Sequence, residues 1–480
     1  MRVSFTVNTP AWMEPILDRV RSWMVSSGNV RRAYKDAQTL ASPFMEDNFN
    51  LWYEMYLNRP PWADRRIVPL GLPAAIGREL AQYVFMESDI SVTDNRFSEN
   101  TRAGYLDAQL QTAAGKFKTQ MEAGLCLGGI ALKPWPDGGR IQVSCAWPSQ
   151  FTPTELDGTG TVIGGVFRET VKEGGNWYVR LERHSFQDEG GKCLYVVENR
   201  AFRSDSTGNP GVEVPLSDVS AWAELTPIVR LENLTGPLFA YFAPPISNNV
   251  DPQSPVGVSI YSGATVGLIR SADQQWEKLA WEYYSGRRKI FTDAVTGIGL
   301  SQFGRDLFEV GRYSKNGSVF EQFTPEFRDE ALLRGLNELF KRIEFNVGLA
   351  YGTLSDPQAV EKTATEIAAA KSRQRSTVKE IQRAFQDTLE RLVYAMDVYV
   401  TLYKLAPPGP YEVSCAWGDG VLDDKETDLR EKAVDMQEVS AGILNPWEYR
   451  AKWMHEDEAV AKANLPGMET MTEGTEDEIE

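Results

Sequence analysis

Between Thr363 and Leu405, the apolar residues Val378, Ile381, Phe385, Leu389, Leu392, Met396, Tyr399 and Tyr403 recur three and four positions apart. That spacing puts them on one face of a helix. The stretch holds neither Gly nor Pro; Thr363 and Glu366 form a capping box, the Asp356-Pro357 turn delays the start, and Pro407, Pro408 and Gly409 stop it. A helix over 363–405 is roughly 65 Å long and must cross more than one layer of the protein.

Upstream, helix-like spacing at 14–25, 47–57, 73–87 and 100–123 gives way after Gly128 to period-two alternation. The segments 129–134, 140–147, 161–171, 177–184 and 192–199 are predicted as strands, separated by Gly-rich turns. Trp177, Val179 and Leu181 share the face that a half-buried antiparallel strand turns to its core. A second helix is predicted over 258–285, with Ile260, Val266, Ile269, Trp276, Leu279 and Tyr283 as its apolar stripe and Gly263 and Gly267 allowing another helix to come close. About forty Gly-punctuated, strand-like residues follow. Thr324 and Pro325 then open a third helix over 326–350 carrying Leu332, Leu336, Leu339, Phe340, Ile343 and Val347. The order is helix, small β insert, helix, loop and very long helix, within an α+β protein. Two helices flanking a compact insert can lie side by side as a stalk. The string VSCAW occurs at both 143–147 and 413–417, and both copies suit one sheet. Residues 422–465 are helical and charged, broken at Gly442 and Asn445-Pro446.

The chain has 480 residues, enough for two to four domains. No run approaches the ~18 apolar residues of a membrane helix, and the start lacks the plan of a signal peptide, so a soluble intracellular protein is expected. Cys126, Cys145, Cys193 and Cys415 are scattered without a CxxC pair and read as buried reduced thiols. The only histidines, His184 and His455, read as surface or satisfied polar residues and leave little scope for histidine chemistry or metal binding. A net charge of −17 argues against gripping nucleic acid by phosphate neutralisation, but not against surrounding it. The last fifteen residues carry six acids and no base, the composition of a solvated, disordered tail.

The strings SPVGVSIYSGA at 254–264, YGTLSDPQAVEKTATEI at 351–367 and SAGILNPWEYRAKWMHEDEAVAKANLP at 440–466, in this order of elements, resemble portal proteins of bacteriophages with long non-contractile tails. The resemblance spans most of 190–466. It implies a portal fold: a wing over 1–255, stem helices over 256–286 and 326–350, a small α/β clip over 287–325 and a tunnel loop over 351–362. The long helix and a returning wing strand would occupy 363–421, the crown 422–465 and an acidic tail 466–480. It further implies a homo-oligomeric ring, usually of twelve copies, at one capsid vertex of the virion, assembled in the host cytoplasm. Double-stranded DNA would pass through without sequence recognition. The implied partners are the terminase large subunit, head-completion and adaptor proteins, and the major capsid and scaffolding proteins, with no membrane and no cofactor.

Under that resemblance Thr353, Leu354, Ser355, Asp356, Pro357 and Gln358 become candidates for a DNA-facing loop; without it they read as an ordinary helix connection. Arg334, Lys341 and Arg342 are candidates for the channel wall, or simply solvated and paired helix residues. Arg287, Arg288 and Lys289 are either clip contacts for acidic partners or cations favoured by a helix C-terminus. Tight phosphate binding would stall a moving polymer, so a mainly acidic wall suits a conduit. An enzyme reading would enlist Glu182 and Glu198 as a carboxylate pair. No barrel alternation and no GxxxxGK[ST] loop accompany them, so a non-enzymatic chain is expected. The remaining alternative is another virion component, a head–tail adaptor or minor capsid protein.

Overall fold

A computed structural model describes residues 27–94, 102–204, 210–286, 288–292, 308–312, 320–323, 326–356, 364–418, 425–454, 458–463 and 465. It is a mixed α+β chain. Helices α1 (Ser27–Ala33), α2 (Pro43–Tyr56) and α3 (Leu72–Val84) lead to strand β1 (Asp89–Thr93) and helices α4 (Arg102–Ala114) and α5 (Phe117–Leu127). The single helix expected over 100–123 is therefore two, broken at Gly115-Lys116. The helix expected over 14–25 lies outside the described residues.

Strands β2 (Ile130–Asp137), β3 (Arg140–Ala146), β4 (Phe151–Leu156), β5 (Val162–Glu173), β6 (Asn176–Glu189), β7 (Lys192–Ser204), β8 (Val212–Val214), β9 (Ile228–Glu232) and β10 (Ala240–Phe242) build two antiparallel sheets. One runs β4-β5-β6-β7 with β8 and β9 both paired to β7, and the other runs β10-β2-β3. Their alternation buries Val166, Val179, Leu181 and Phe202 under α1, while the other face of β5 and β6 carries Phe167 and His184.

Helix α6 (Ala264–Ser285) precedes strands β11 (Arg288–Thr292), β12 (Phe308–Arg312) and β13 (Phe320–Phe323), and α7 (Asp329–Val347) follows. Strand β11 pairs in parallel with β12 and antiparallel with β13. Then comes α8 (Ala364–Leu402), and β14 (Glu412–Ala416) returns to pair antiparallel with β1. The two VSCAW strings therefore join different sheets: the first ends β3, and the second is β14. Cross-strand partners, rather than the shared letters, decide their places.

The expected stripe of α8 is buried from Val378 to Met396, whereas Tyr403 at its end is 58% exposed. Phe385 is the hub. Its ring meets Phe85, Phe117 and Phe242 edge-on at 5.4, 5.5 and 5.8 Å, tying α8 to the end of α3, to α5 and to β10. At its far end Arg102 of α4, almost fully buried, bonds Asp397 Oδ1, the Asp397 carbonyl, the Ala406 carbonyl and Thr401 Oγ1. The long helix thus lies across a sheet and three helices, as its length requires.

Of the four thiols only Cys126 is fully buried; Cys145 and Cys415 are half-buried and Cys193 is exposed, so the expectation of burial fails outright for Cys193. Burial pushes the Cys145 thiol up to about 12 and keeps it protonated.

Residues 419–480 form a separate compact unit. It holds α9 (Lys425–Ser440), α10 (Pro446–Met454) and α11 (Glu458–Ala463). Gly442 at φ 71° and the Asn445–Glu448 cap make the breaks that the sequence marks. Asp435 accepts bonds from Lys452 Nζ and Trp453 Nε1, joining α9 to α10.

Candidate functional site

Helices α6 and α7 pack antiparallel, with Thr265 beside Asn346, Gln275 beside the Leu332 carbonyl and Glu282 beside Arg328. Three differences from the sequence reading have clear causes. Residues 258–263 are not helical, because Gly263 takes φ 63°, ψ −127° and the preceding Val258, Ser259 and Tyr261 are buried in irregular backbone. The third helix begins at Asp329, not at 326: residues 326–328 are non-helical, and the Arg328 N–H and guanidinium are both held by the Glu282 carboxylate of α6; Thr324 and Pro325 lie outside the described residues. Gly267 faces open space and Gly263 packs on Asn249; the close helix approach is at Gly335, where a Cβ would stand 3.1 Å from Gln275 Nε2.

The apolar stripe of α6 also divides. Ile269 and Leu279 are buried between the helices, but Trp276, Trp281, Tyr283 and Tyr284 are 42–60% exposed. Trp276 and Tyr283, seven residues apart, share a face; Trp281 and Tyr284 stack 5.6 Å apart on the next. At the lower end Glu282 holds Arg328 through Nε, Nη2 and the backbone N–H, and that guanidinium keeps the Glu282 carboxyl below its usual range. Asp273, buried on the inner side of α6, accepts from Trp62 Nε1 at 2.8 Å and the Leu70 N–H at 2.9 Å, fastening the 60–70 loop to the stalk. Burial raises its carboxyl above the ordinary value despite those two bonds.

The loop after α7 is built around one carboxylate. Gly348 ends the helix at φ 76°, and a Cβ there would meet Thr377 Oγ1 of α8 at 2.2 Å, so only glycine permits both the turn and the approach. The chain then curls over Glu344, which is fully buried. Its Oε1 accepts the N–H groups of Gly352, Leu354 and Ser355 at 3.1, 2.6 and 2.8 Å, and its Oε2 accepts the Ser355 hydroxyl at 2.8 Å. Asp356 N–H donates to Asn337 Oδ1. Thr353, Leu354 and Ser355 are therefore pinned in a turn, with Ser355 buried, and Asp356 alone of the described candidates is exposed. Pro357 and Gln358 lie outside the described residues. Sequence reading missed Glu344 and Asp273; the available signal was an acid at an apolar position, Glu344 between Ile343 and Val347 and Asp273 beside Ala272.

The other candidates separate clearly. Arg334 and Arg342 are exposed on α7, whereas Lys341 is paired with Glu338 at 2.6 Å, the ordinary helix arrangement. Arg287 lies outside the described residues. Arg288 and Lys289 open β11, opposite Phe308 and Glu309 of β12.

Glu182 and Glu198 do not form a carboxylate pair. Glu182 is opposite Asn199 and Arg183 is opposite Glu198, so the two carboxylates point to opposite faces of the sheet. Glu182 belongs to a buried chain: Lys133 Nζ at 2.6 Å, Arg180 at 3.0 Å and His184 Nε2 at 2.8 Å. The Glu182 carboxylate can only accept, so His184 Nε2–H donates to it, and the Nδ1 of the neutral ring accepts the Tyr195 hydroxyl, which itself accepts the Leu238 N–H. Burial pulls the His184 pKa down against the pull of Glu182; burial alone would raise Glu182, but Lys133, His184 and Arg180 hold it well below its ordinary value.

Both shifts act in one direction. The folded state resists protons that the unfolded state takes up, so stability is full above about pH 6.5 and is lost as pH falls. Between pH 7 and 5.5 the wild type is expected to lose more stability than His184→Gln, by no more than about 1.4 kcal/mol per pH unit, the limit for one proton taken up only by the unfolded state. Urea unfolding at both pH values measures the difference, and parallel losses would refute it.

No described helix is long and apolar enough to cross a membrane. No protein-family model matches this chain, and comparison with curated proteins likewise gives no match.

Proposed function

We propose that this chain is a portal subunit of a tailed bacteriophage, forming a ring of usually twelve copies that conducts double-stranded DNA into and out of the capsid and docks the terminase. The observation that carries the reading is the aromatic band of α6. Trp276, Trp281, Tyr283 and Tyr284 are 42–60% exposed in the single chain, and Phe327 just ahead of α7 and Leu333 on it are 49% and 44% exposed. Covering such half-exposed rings with a neighbouring copy contributes roughly 1 kcal/mol each, and cyclic symmetry repeats the gain at every interface. The antiparallel helix pair with its β insert, the turn beyond it and the long helix match the order of stem, clip, tunnel loop and wing helix. The net charge of −17 suits a conduit that must let a polyanion slide.

Native mass measurement and negative-stain imaging test this directly. A particle of about 650 kDa with a central hole is expected for twelve chains of 53.8 kDa. Trp281→Ala with Tyr284→Ala is expected to shift the particle toward monomer while leaving the unfolding midpoint of the single chain nearly unchanged. A wild-type protein that stays monomeric at high concentration would overturn the proposal.

A further inference from the structure

Strand β14 closes a sheet of only two strands, and the bonds of its partner show which way its own backbone points. The Val92 N–H donates to Asp107 Oδ1 at 2.8 Å, and the Ile90 carbonyl accepts Gln111 Nε2 at 2.6 Å. Ile90 and Val92 therefore turn their backbone groups away from β14 and towards α4. In an antiparallel ladder, residues directly opposite each other either both bond across the pair or both point out of it. Cys415 and Val413, the partners of Ile90 and Val92, therefore present their N–H and C=O groups on the outer side of the sheet. Side chains of α4 serve one edge; among the described residues nothing pairs with the other.

Such an edge is a template for a further strand, and β14 has neither the proline, the lysine nor the bulge with which sheets block one. Its faces alternate: Val413 and Cys415 are half-buried on the side of the buried Ile90 and Val92, while Glu412, Ser414 and Ala416 are exposed. A strand that fits must alternate in the same way. The run Arg2-Val3-Ser4-Phe5-Thr6-Val7, outside the described residues, does so at every step, is rich in β-branched and aromatic residues, and is closed by Asn8-Thr9-Pro10. Charge agrees. Asp89 and Glu412 lie on the two strands, and Glu390 is close enough, with burial, to push the Cys415 thiol up to about 11; none of the three has an ion pair among the described residues. Residues 1–13 hold Arg2 and no acid. Val7 and Ser27, where α1 begins, are 20 positions apart, and extended chain of that length spans up to about 65 Å.

We propose that residues 2–7 add to the outer edge of β14 as a third strand, with Val3, Phe5 and Val7 on the face of Val413 and Cys415. Main-chain bonds to Val413 and Cys415 supply the attachment, and the alternating side chains set its register. A two-stranded sheet is marginal by itself, and the added strand gives it the third member that such a sheet needs. The segment can come from the same chain or from a neighbouring copy, so the contact stands apart from the portal reading.

Residue-resolved amide exchange of the full chain is the test. The Val413 and Cys415 amides are expected to exchange about tenfold more slowly in the wild type than after deletion of residues 2–7, while the Ser414 amide, which faces β1, exchanges alike in both and reports that the β1–β14 pair is intact. Adding the peptide MRVSFTVN to the deletion variant is expected to restore the protection, and the same peptide with Phe5→Pro is expected not to, because proline removes a ladder donor and blocks the pairing. An isotope-labelled deletion chain assembled together with unlabelled wild type separates the two sources: protection on the labelled chain marks a strand given by a neighbour, and protection confined to wild-type chains marks one given by the same chain. Val413 and Cys415 amides that exchange as fast in the wild type as in the deletion variant would overturn the third strand, as would equal protection by both peptides.

Discussion

Glu344→Ala is expected to destabilise the chain by about 3–5 kcal/mol and to release the turn after α7. The alanine would leave the Leu354 and Ser355 N–H groups and the Ser355 hydroxyl without their acceptor, while the Gly352 N–H keeps Ser355 Oγ, and each orphaned buried donor costs about 1–3 kcal/mol. Part of that is recovered when the turn opens to solvent, which sets the upper bound. Glu344→Gln is expected to cost only about 1–2 kcal/mol, since its carbonyl still accepts from the backbone and its amide can donate to Ser355 Oγ. Denaturant unfolding gives the totals, and amide exchange of Gly352, Leu354 and Ser355 locates them. Slow exchange at those three amides in the alanine variant would show that the carboxylate does not hold the turn.

Arg102→Ala is expected to be comparably severe, at about 3–5 kcal/mol. The guanidinium is 3% exposed and serves Asp397, Thr401 and two carbonyls at the end of α8, so its removal leaves the Asp397 carboxylate without its cation and the Ala406 carbonyl without this donor, while the Asp397 carbonyl keeps the Thr401 hydroxyl. Arg102→Lys should recover little, because one ammonium cannot reproduce the fork that spans those partners. Exchange should rise first in the last turns of α8 and at the β1–β14 pair. If Arg102→Lys matched the wild type in urea, charge alone rather than geometry would explain the contact.

The sequence was most legible where periodicity was strong and locally consistent. The period-two runs from Ile130 to Ser204 became strands, and the stripe from Val378 to Met396 became the buried face of α8. Boundaries were lost where tertiary partners outbid local signals. Glu282 holds Arg328 by its N–H and guanidinium just ahead of a helix that starts three residues later than its pattern suggests, and Gly263 turned a helical pattern into irregular backbone. The loop was legible only as a turn. Nothing local says that Ser355 faces inward, because its acceptor, Glu344, lies eleven residues earlier on another element.

Helix α8 is anchored at two places, where Thr377 packs on Gly348 and where Asp397 meets Arg102, about 30 Å apart with no Gly or Pro between. Mechanically it is a strut. A helix without Gly or Pro between two anchors resists bending, so a push at the loop would be carried to Arg102 of α4. Stiffness of this kind is what a subunit needs if load taken at one radius of an assembly is to be borne at another.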